Sequence, residues 1–413
     1  MLVHALTGES QKIVKKVLSN GLTVLLKPMP VKECLIGLAI KGGAIESSKQ
    51  GYPNGTAHLL EHVLINRIPR GVRDKMNING KTSQTHISVY GHTKENSSRV
   101  LTKELLSSIS HPVNQKSINE EVPRVLKEIS MVSGTHSDQQ EKFITAITED
   151  PHLLNSSILG TEETIKNISK DHLQRFLRST AVPGSALLVG MGNIDVPGIL
   201  NIAKSIKLNR PSTELLSNKE STSLIPKYAQ AQTSTDPAVN NNLFLMGYKF
   251  PWNKNIKSYA TYLVMADSIQ RALDPSLGIT AHLSYSQLGG VLYFTIPTKA
   301  YSKQEFTSII QKAANNIQKD LSEFKYEEGL MGLPHLDIST YLFSIGLGPT
   351  STDDLFDAIK SITDSDISEG VKALNISNCY TSTDSALTRI IQTYLNHAPI
   401  FSTVLFKVCC NIV

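Results

Sequence analysis

Apolar and polar positions recur with two different periods along this chain, and the order of those periods sketches its architecture. The runs KKVLSNGLTVLLKP and CLIGLAIKGGAIES read as strands, and Asn20-Gly21 is a dipeptide favoured in tight hairpin turns. A helix is expected over about 55–67, followed by a strand pair around NINGKTSQTHISVYGHT. The segments SRVLTKELLSSIS and NEEVPRVLKEISMV read as helices, with Leu101, Leu105 and Ile109 on one helical face. A helix in SKDHLQRFLRS, a buried strand in SALLVGMGNID and a helix in VPGILNIAKSI close this half.

Residues 208–226, LNRPSTELLSNKESTSLIP, are rich in Ser, Thr, Asn and Pro and lose the apolar period, as a linker does. The expected division is a domain over 1–210, a linker over 211–225 and a second domain over 226–413. Beyond the linker the order resumes. A strand in NNLFLMGYKF precedes a helix in SYATYLVMADSIQRAL and a strand in GGVLYFTIPT. Helices follow in KQEFTSIIQKAANNIQKDL and DSDISEGVKAL, while Pro334 in MGLPHLDIS predicts irregular structure. Strand, helix, strand, helices in both halves describes a duplicated α+β unit, inferred from element order.

Composition narrows the function classes. The 413 residues suffice for two domains, each with its own core. The formal charge of +5 is spread along the chain, with no basic block that would serve as a nucleic-acid arm. No Gly-rich phosphate loop is found, which removes a nucleotide-binding reading. Cys34, Cys379, Cys409 and Cys410 have no CxxC spacing and make no disulfide framework. No run approaches the ~18–20 apolar residues of a membrane span. The segment MLVHALTGESQKIVKK lacks the apolar centre of a signal peptide, so a cytoplasmic location is expected. PIFSTVLFKVCCNIV reads as a terminal strand or docking segment, or as a peripheral anchor if Cys409 and Cys410 are acylated.

The candidate chemistry lies in GTAHLLEHVLI, residues 55–65. On a helix His58 and His62 project side by side, as two imidazoles sharing one zinc ion must. Glu61 lies toward the same side, where it can accept a proton from water. The order is H-x-x-E-H. The spacing by itself equally describes a buried helix carrying two structural histidines, since Leu59, Leu60, Val63, Leu64 and Ile65 form a core face. A zinc site needs a third ligand, and INEEVPRVLKEIS offers two carboxylates: Glu121 and Glu128 are seven residues apart and share a helical face. They also fit a solvated face with Arg124 and Lys127.

GTAHLLEHVLI, followed about sixty residues later by EEVPRVLKEI, resembles the pitrilysin family of zinc peptidases, which includes insulysin and the mitochondrial processing peptidase. LSNGLTVLLKP, GGAIES, LGTEETIKNISKDHLQRF and VPGSALLVGMGNID stand where family members carry similar segments. The resemblance implies an α+β fold of two homologous α/β-sandwich halves. Each would be a mainly antiparallel sheet with helices on one face, and together they would form half of a clam-shell chamber. It further implies that His58, His62 and Glu128 hold zinc, that Glu61 is the general base and that Glu121 supports the site without binding metal. A peptide substrate would lie as an added strand near NINGKTSQT, with Asn79 a candidate contact.

One departure from the family pattern stands out. Active relatives carry, in the second half, an Arg and a Tyr that stabilise the substrate carbonyl. The corresponding stretch here, LDPSLGITAHL, places Asp274 and Ala281 at those positions in the simplest register, with Arg271, His282 and Tyr285 close by. The resemblance is therefore to the zinc-bearing subunit of a two-chain enzyme. The expected function is a zinc metalloendopeptidase subunit for short or unfolded peptides. Its partner would be a homologous subunit in a heterodimer, with a homodimer as second choice. The alternative is a non-catalytic peptide-binding or structural core subunit. His86 and His92, flanking ISVYG, are expected to be surface or wall residues.

Overall fold

The computed structural model describes residues 13–93, 97–132, 156–209, 244–251, 253–285, 289–296, 301–315 and 333–374, with isolated positions between these and as far as 381. The 211–225 linker and the tail bearing Cys409 and Cys410 lie outside the described residues.

The first sheet has six strands: β1 (Val14–Val17), β2 (Thr23–Pro28), β3 (Cys34–Lys41), β4 (Asn79–Thr82), β5 (His86–Thr93) and β6 (Ala186–Gly192), in the spatial order β1-β2-β6-β3-β5-β4. The β1–β2 hairpin turns through Asn20-Gly21, where Gly21 takes a φ of +81°. Among the described residues of this sheet, only the β2–β6 pairing is parallel. Strands β3 and β6 are buried almost end to end, as strands covered on both faces must be. β4 is an edge strand.

Helices α1 (Ala44–Lys49), α2 (Thr56–Asn66), α3 (Arg70–Lys75), α4 (Ser98–Ser110) and α5 (Gln115–Val132) follow in this half, together with the helix Lys170–Thr180. Leu59, Leu60 and Val63 of α2, Leu101 and Leu105 of α4 and Phe176 meet Leu22, Val24, Leu38 and Val89 in one core. The second sheet is antiparallel, in the order β10-β7-β9-β8, from β7 (Phe244–Phe250), β8 (Thr280–Tyr285), β9 (Gly290–Ile296) and β10 (Tyr380–Thr381). The helices Ile256–Ala272, Lys303–Asn315, Thr352–Ser361 and Asp364–Ala373 pack on one of its faces.

The expectation of helices on one face only needs correcting. Leu336 and Phe343, on the helix Leu333–Ser344, cover the other face of the first sheet against Leu25, Leu35, Leu187 and Val189. A Cβ at Gly37 would fall 2.3 Å from Leu336 Cδ1, so this helix approaches the sheet through a missing side chain. Reciprocally, Phe143, Ile144 and Ile147 pack on Leu245, Val291 and Tyr293 of the second sheet. Polar ties reinforce the exchange: Lys27 pairs with Asp353 at 2.7 Å, Lys15 with Asp354, and Thr85 Oγ1 meets Ser344 Oγ at 2.8 Å.

Other differences from the sequence expectation have local causes. β3 ends at Lys41, and Ala44–Lys49 is helical rather than extended, because Gly42 and Gly43 separate them. Pro334 sits in the first turn of the helix Leu333–Ser344, where a missing N–H is tolerated, so this stretch is regular. Strand β8 and the helix Thr352–Ser361, capped by Ser351, are additional elements.

Candidate metal centre

Helix α2 begins where only glycine fits. Gly55 has a φ of +87°, and a Cβ there would lie 2.4 Å from Ile165 Cδ1 and 2.6 Å from the Leu159 carbonyl. From this fixed start, Ala57, Leu59, Leu60, Val63 and Leu64 enter the core. His58, Glu61 and His62 line a cleft shared with α5 and β4, of about 430 Å³. Val125 and Ile129 anchor α5 in the same core, and Glu121 and Glu128 line the cleft from it.

Three donor atoms converge there. His58 Nε2 and His62 Nε2 are 3.2 Å apart, and Glu128 Oε2 lies 3.5 Å from the first and 3.4 Å from the second. Three ligands bound tetrahedrally to zinc at ~2.0–2.1 Å stand about 3.3 Å from one another, so the donor set and its spacing fit zinc. Glu121 supports this arrangement from behind. Its Oε2 meets His62 Nδ1 at 3.2 Å, which turns the opposite ring nitrogen toward the cluster. Its Oε1 accepts from Asn66 Nδ2 at 2.8 Å and from Arg124 Nη1 at 2.7 Å.

The electrostatics favour a cation. Burial, helped by the His62 charge, lowers His58 to about 4, leaving it the neutral imidazole that a metal requires. Burial acts the same way on His62, but hydrogen bonds to Glu121 and Glu128 and the Glu61 charge outweigh it, raising the group to about 10. A hydrogen bond to His62 holds Glu128 below the usual carboxylate range. Burial opposes ionisation of Glu121, but bonds from His62 and Asn66 prevail and lower it.

Glu61 stands apart from the three donors. Burial pushes its carboxyl up to about 7, and Thr82 Oγ1 donates to its Oε2 at 3.0 Å. A Cβ at Gly80 would be 2.3 Å from Glu61 Oε1, so β4 lies directly against this carboxylate. Asn79, at the exposed start of β4, lines the cleft while its Oδ1 accepts from the Gly80 N–H at 2.9 Å. Gly80, Thr82 and Arg73 are further lining residues that sequence reasoning did not single out. The only trace of Gly80 and Thr82 was their place beside Asn79, because their contact with Glu61 is tertiary, and Arg73 left no trace of its place in the cleft.

His86 and His92 do not join the cluster. His86 is not a wall residue but an interior one, its Nδ1 2.9 Å from Ser83 Oγ, and burial lowers it to about 3. His92 meets Glu33 at 3.2 Å. The second-half candidates are also absent from the cleft lining. Arg271 pairs with Asp267, His282 Nε2 lies 3.0 Å from Thr295 Oγ1, and the buried Tyr285 hydroxyl donates to the Tyr259 carbonyl at 3.2 Å. Asp274 caps the short 3-10 turn Pro275–Leu277, and the Ala281 N–H donates to Gln270.

No family model matches the chain. Among curated proteins it is similar to the mitochondrial-processing peptidase subunit beta of Neurospora crassa, 22% identical over 304 residues, or 70% of this chain and 62% of that one. It is also similar to the uncharacterized zinc protease YmxG of Bacillus subtilis, 24% identical over 196 residues, or 45% and 47% of the two chains. The chain thus spans less than two thirds of these relatives' length. Among solved structures, a putative M16-like peptidase from Alicyclobacillus acidocaldarius superposes with a TM-score of 0.65 at 17% identity, covering 90% of this chain and 97% of that one. A peptidase M16 inactive domain from Pseudomonas fluorescens gives 0.63 at 12% identity, with coverages of 90% and 97%. These two show the fold. Among the described residues, no helix is long and apolar enough to cross a membrane.

Proposed function

Because this chain is a distant member of the M16 peptidase family, the group of pitrilysin and the mitochondrial processing peptidase, we propose that it is the zinc-bearing subunit of a metalloendopeptidase acting on short or unfolded peptides. The observation that carries this reading is the triangle of His58 Nε2, His62 Nε2 and Glu128 Oε2, with the Glu61 carboxylate beside it. A zinc ion held by those three residues supplies Lewis-acid polarisation and lowers the pKa of water toward ~7.

The chain's own residues do the rest. Glu61, near 7 through burial, takes a proton from the attacking water and returns it to the leaving amine. Thr82 holds the carboxylate in place during both transfers. Glu121 keeps the His62 ring in the tautomer and orientation that binding needs. A peptide substrate adds as a strand along β4, with Asn79 at its end.

The partner follows from what the second half lacks. Asp274 and Ala281 stand where an assisting Arg and Tyr are expected, and the nearby Arg271, His282 and Tyr285 are engaged within the second half. A homologous second subunit supplies that pair across a chamber to which this chain contributes two halves, over 1–210 and 226–413. A heterodimer is the first choice and a homodimer the second. The same missing pair favours a second reading, a peptide-binding or structural subunit without turnover. Purification from the native host, with metal analysis and peptide-cleavage assays with and without the co-purified partner, separates the two. Glu61→Gln is expected to retain zinc and lose about 10²–10⁴-fold in turnover. Undiminished cleavage by that variant would sink the assignment, and a wild type without zinc supports the non-catalytic reading.

A further inference from the structure

The peptidase reading leaves open which peptides the cleft selects, and one side chain bears on this. Arg73, on α3, lines the cleft together with Asn79 and Gly80. The other basic residues of the cleft are matched: Lys81 Nζ meets Asp337 Oδ2 at 3.2 Å, and Arg124 meets Glu121 at 2.7 Å. Arg73 is different. Among the described residues its guanidinium has neither hydrogen bond nor ion pair, and its Nε is buried. The adjacent Asp74 pairs instead with Arg70, at 3.6 Å. A buried donor on a charged group is costly to leave unmade. The outer guanidinium nitrogens, which are not closed off as Nε is, are the donors that an acceptor on a peptide in the cleft can reach.

The main chain fixes where along the strand this acceptor would lie. The Ile78 N–H donates to the Arg73 carbonyl at 3.1 Å, and Asn77 takes a left-handed φ of 44°, so α3 folds back onto the start of β4. Gly80 and Thr82, which touch Glu61, alternate in register with Ile78. One such same-face step spans about 6.6 Å. The Arg73 backbone therefore lies beside the start of β4, about one same-face step before the residues that touch Glu61.

Resting on the peptidase reading, we infer that Arg73 is a specificity-determining residue that binds a substrate carboxylate within about two to three residues of the scissile bond. A guanidinium recognises a carboxylate by paired N–H donors, and a neutral amide in its place leaves a donor unmatched. The carboxylate comes from an Asp or Glu side chain or from the peptide's C-terminus.

The test uses one peptide sequence with Glu or Gln at each successive position, each made with a free or amidated C-terminus. Binding to the zinc-loaded Glu61→Gln protein is measured by fluorescence anisotropy, beside turnover by the wild type with its co-purified partner. At one position, or at the free C-terminus, the acid is expected to bind at least about tenfold tighter than the amide. Arg73→Met should bring that ratio close to one, while Arg73→Lys keeps part of it, with unchanged thermal melting showing that both variants fold. A preference for the free terminus alone assigns the carboxylate to the C-terminus. Equal binding of acids and amides throughout, or a preference that survives Arg73→Met, overturns the inference. Failure of the peptidase reading looks different: no peptide of either kind is then turned over by the wild type with its partner.

Discussion

The two sheets each end in a short strand beneath a long helix, and the two edges are used in opposite ways. At β4, α2 brings Glu61 against Gly80 and Thr82 and leaves a cleft beside the strand. At β8, the helix Ile256–Ala272 extends Gln270 along the strand instead. Its Nε2 donates to the Ile279 carbonyl at 3.1 Å, and its Oε1 accepts from the Ala281 N–H at 2.6 Å. Two edge groups that would pair with an incoming strand are satisfied within the half. The same arrangement of helix and edge thus carries reactive polar groups in one place and sealed ones in the other. A carboxylate over a glycine opens an edge, and an amide over the backbone closes it.

Breaking the open edge at its metal donors has the largest expected effect. His58→Ala removes one of three converging donors, so zinc in the purified protein should fall from one equivalent to a trace and peptide turnover should vanish. Full zinc content in this variant, read by elemental analysis, would contradict the donor assignment. Next comes Gly80→Ala, whose Cβ would lie 2.3 Å from Glu61 Oε1. The carboxylate is the movable end of that contact, so the fold should survive while kcat drops about 10–100-fold, because displacements near 1 Å suffice for such losses. Zinc content should not change, which separates this variant from the first. The smallest effect is on the closed edge. Gln270→Leu leaves the Ile279 and Ala281 groups without their partner and should cost about 1–3 kcal/mol in denaturant unfolding. Zinc binding should be unaffected, since Gln270 serves only β8.

How far the sequence foretold this depended on whether a feature was local. The helix Ser98–Ser110 was visible because Leu101, Leu105 and Ile109 keep helical spacing and are all buried. Glu121 and Glu128 could be placed on one face by counting residues, and that face carries them into the histidine cleft. The parallel pairing of β2 with β6 leaves no mark in either strand, because it depends on a partner more than 150 residues away. β8 was legible in principle, since Thr280, His282 and Ser284 alternate with Ala281, Leu283 and Tyr285, but the run is only six residues long. Gly80, Thr82 and Arg73 became recognisable only once β4 lay beside Glu61. The interior place of His86 was equally invisible, since Ser83 and Thr85 satisfy its ring locally.

The insertion of β6 between β2 and β3 also sets a schedule. Leu187 and Leu188 pair with β2 on one side and with β3 on the other, so the first sheet has a gap at its centre until this strand arrives. His58, His62 and the three glutamates of the cleft, Glu61, Glu121 and Glu128, leave the ribosome before it. The core on which α2 rests includes Leu188, so a nascent chain ending short of Gly192 lacks the platform that aligns them. Synthesis is vectorial and long-range pairing is slow to form. The candidate metal site therefore gains its platform only once β6 has been made, near the middle of the chain rather than when its own residues emerge.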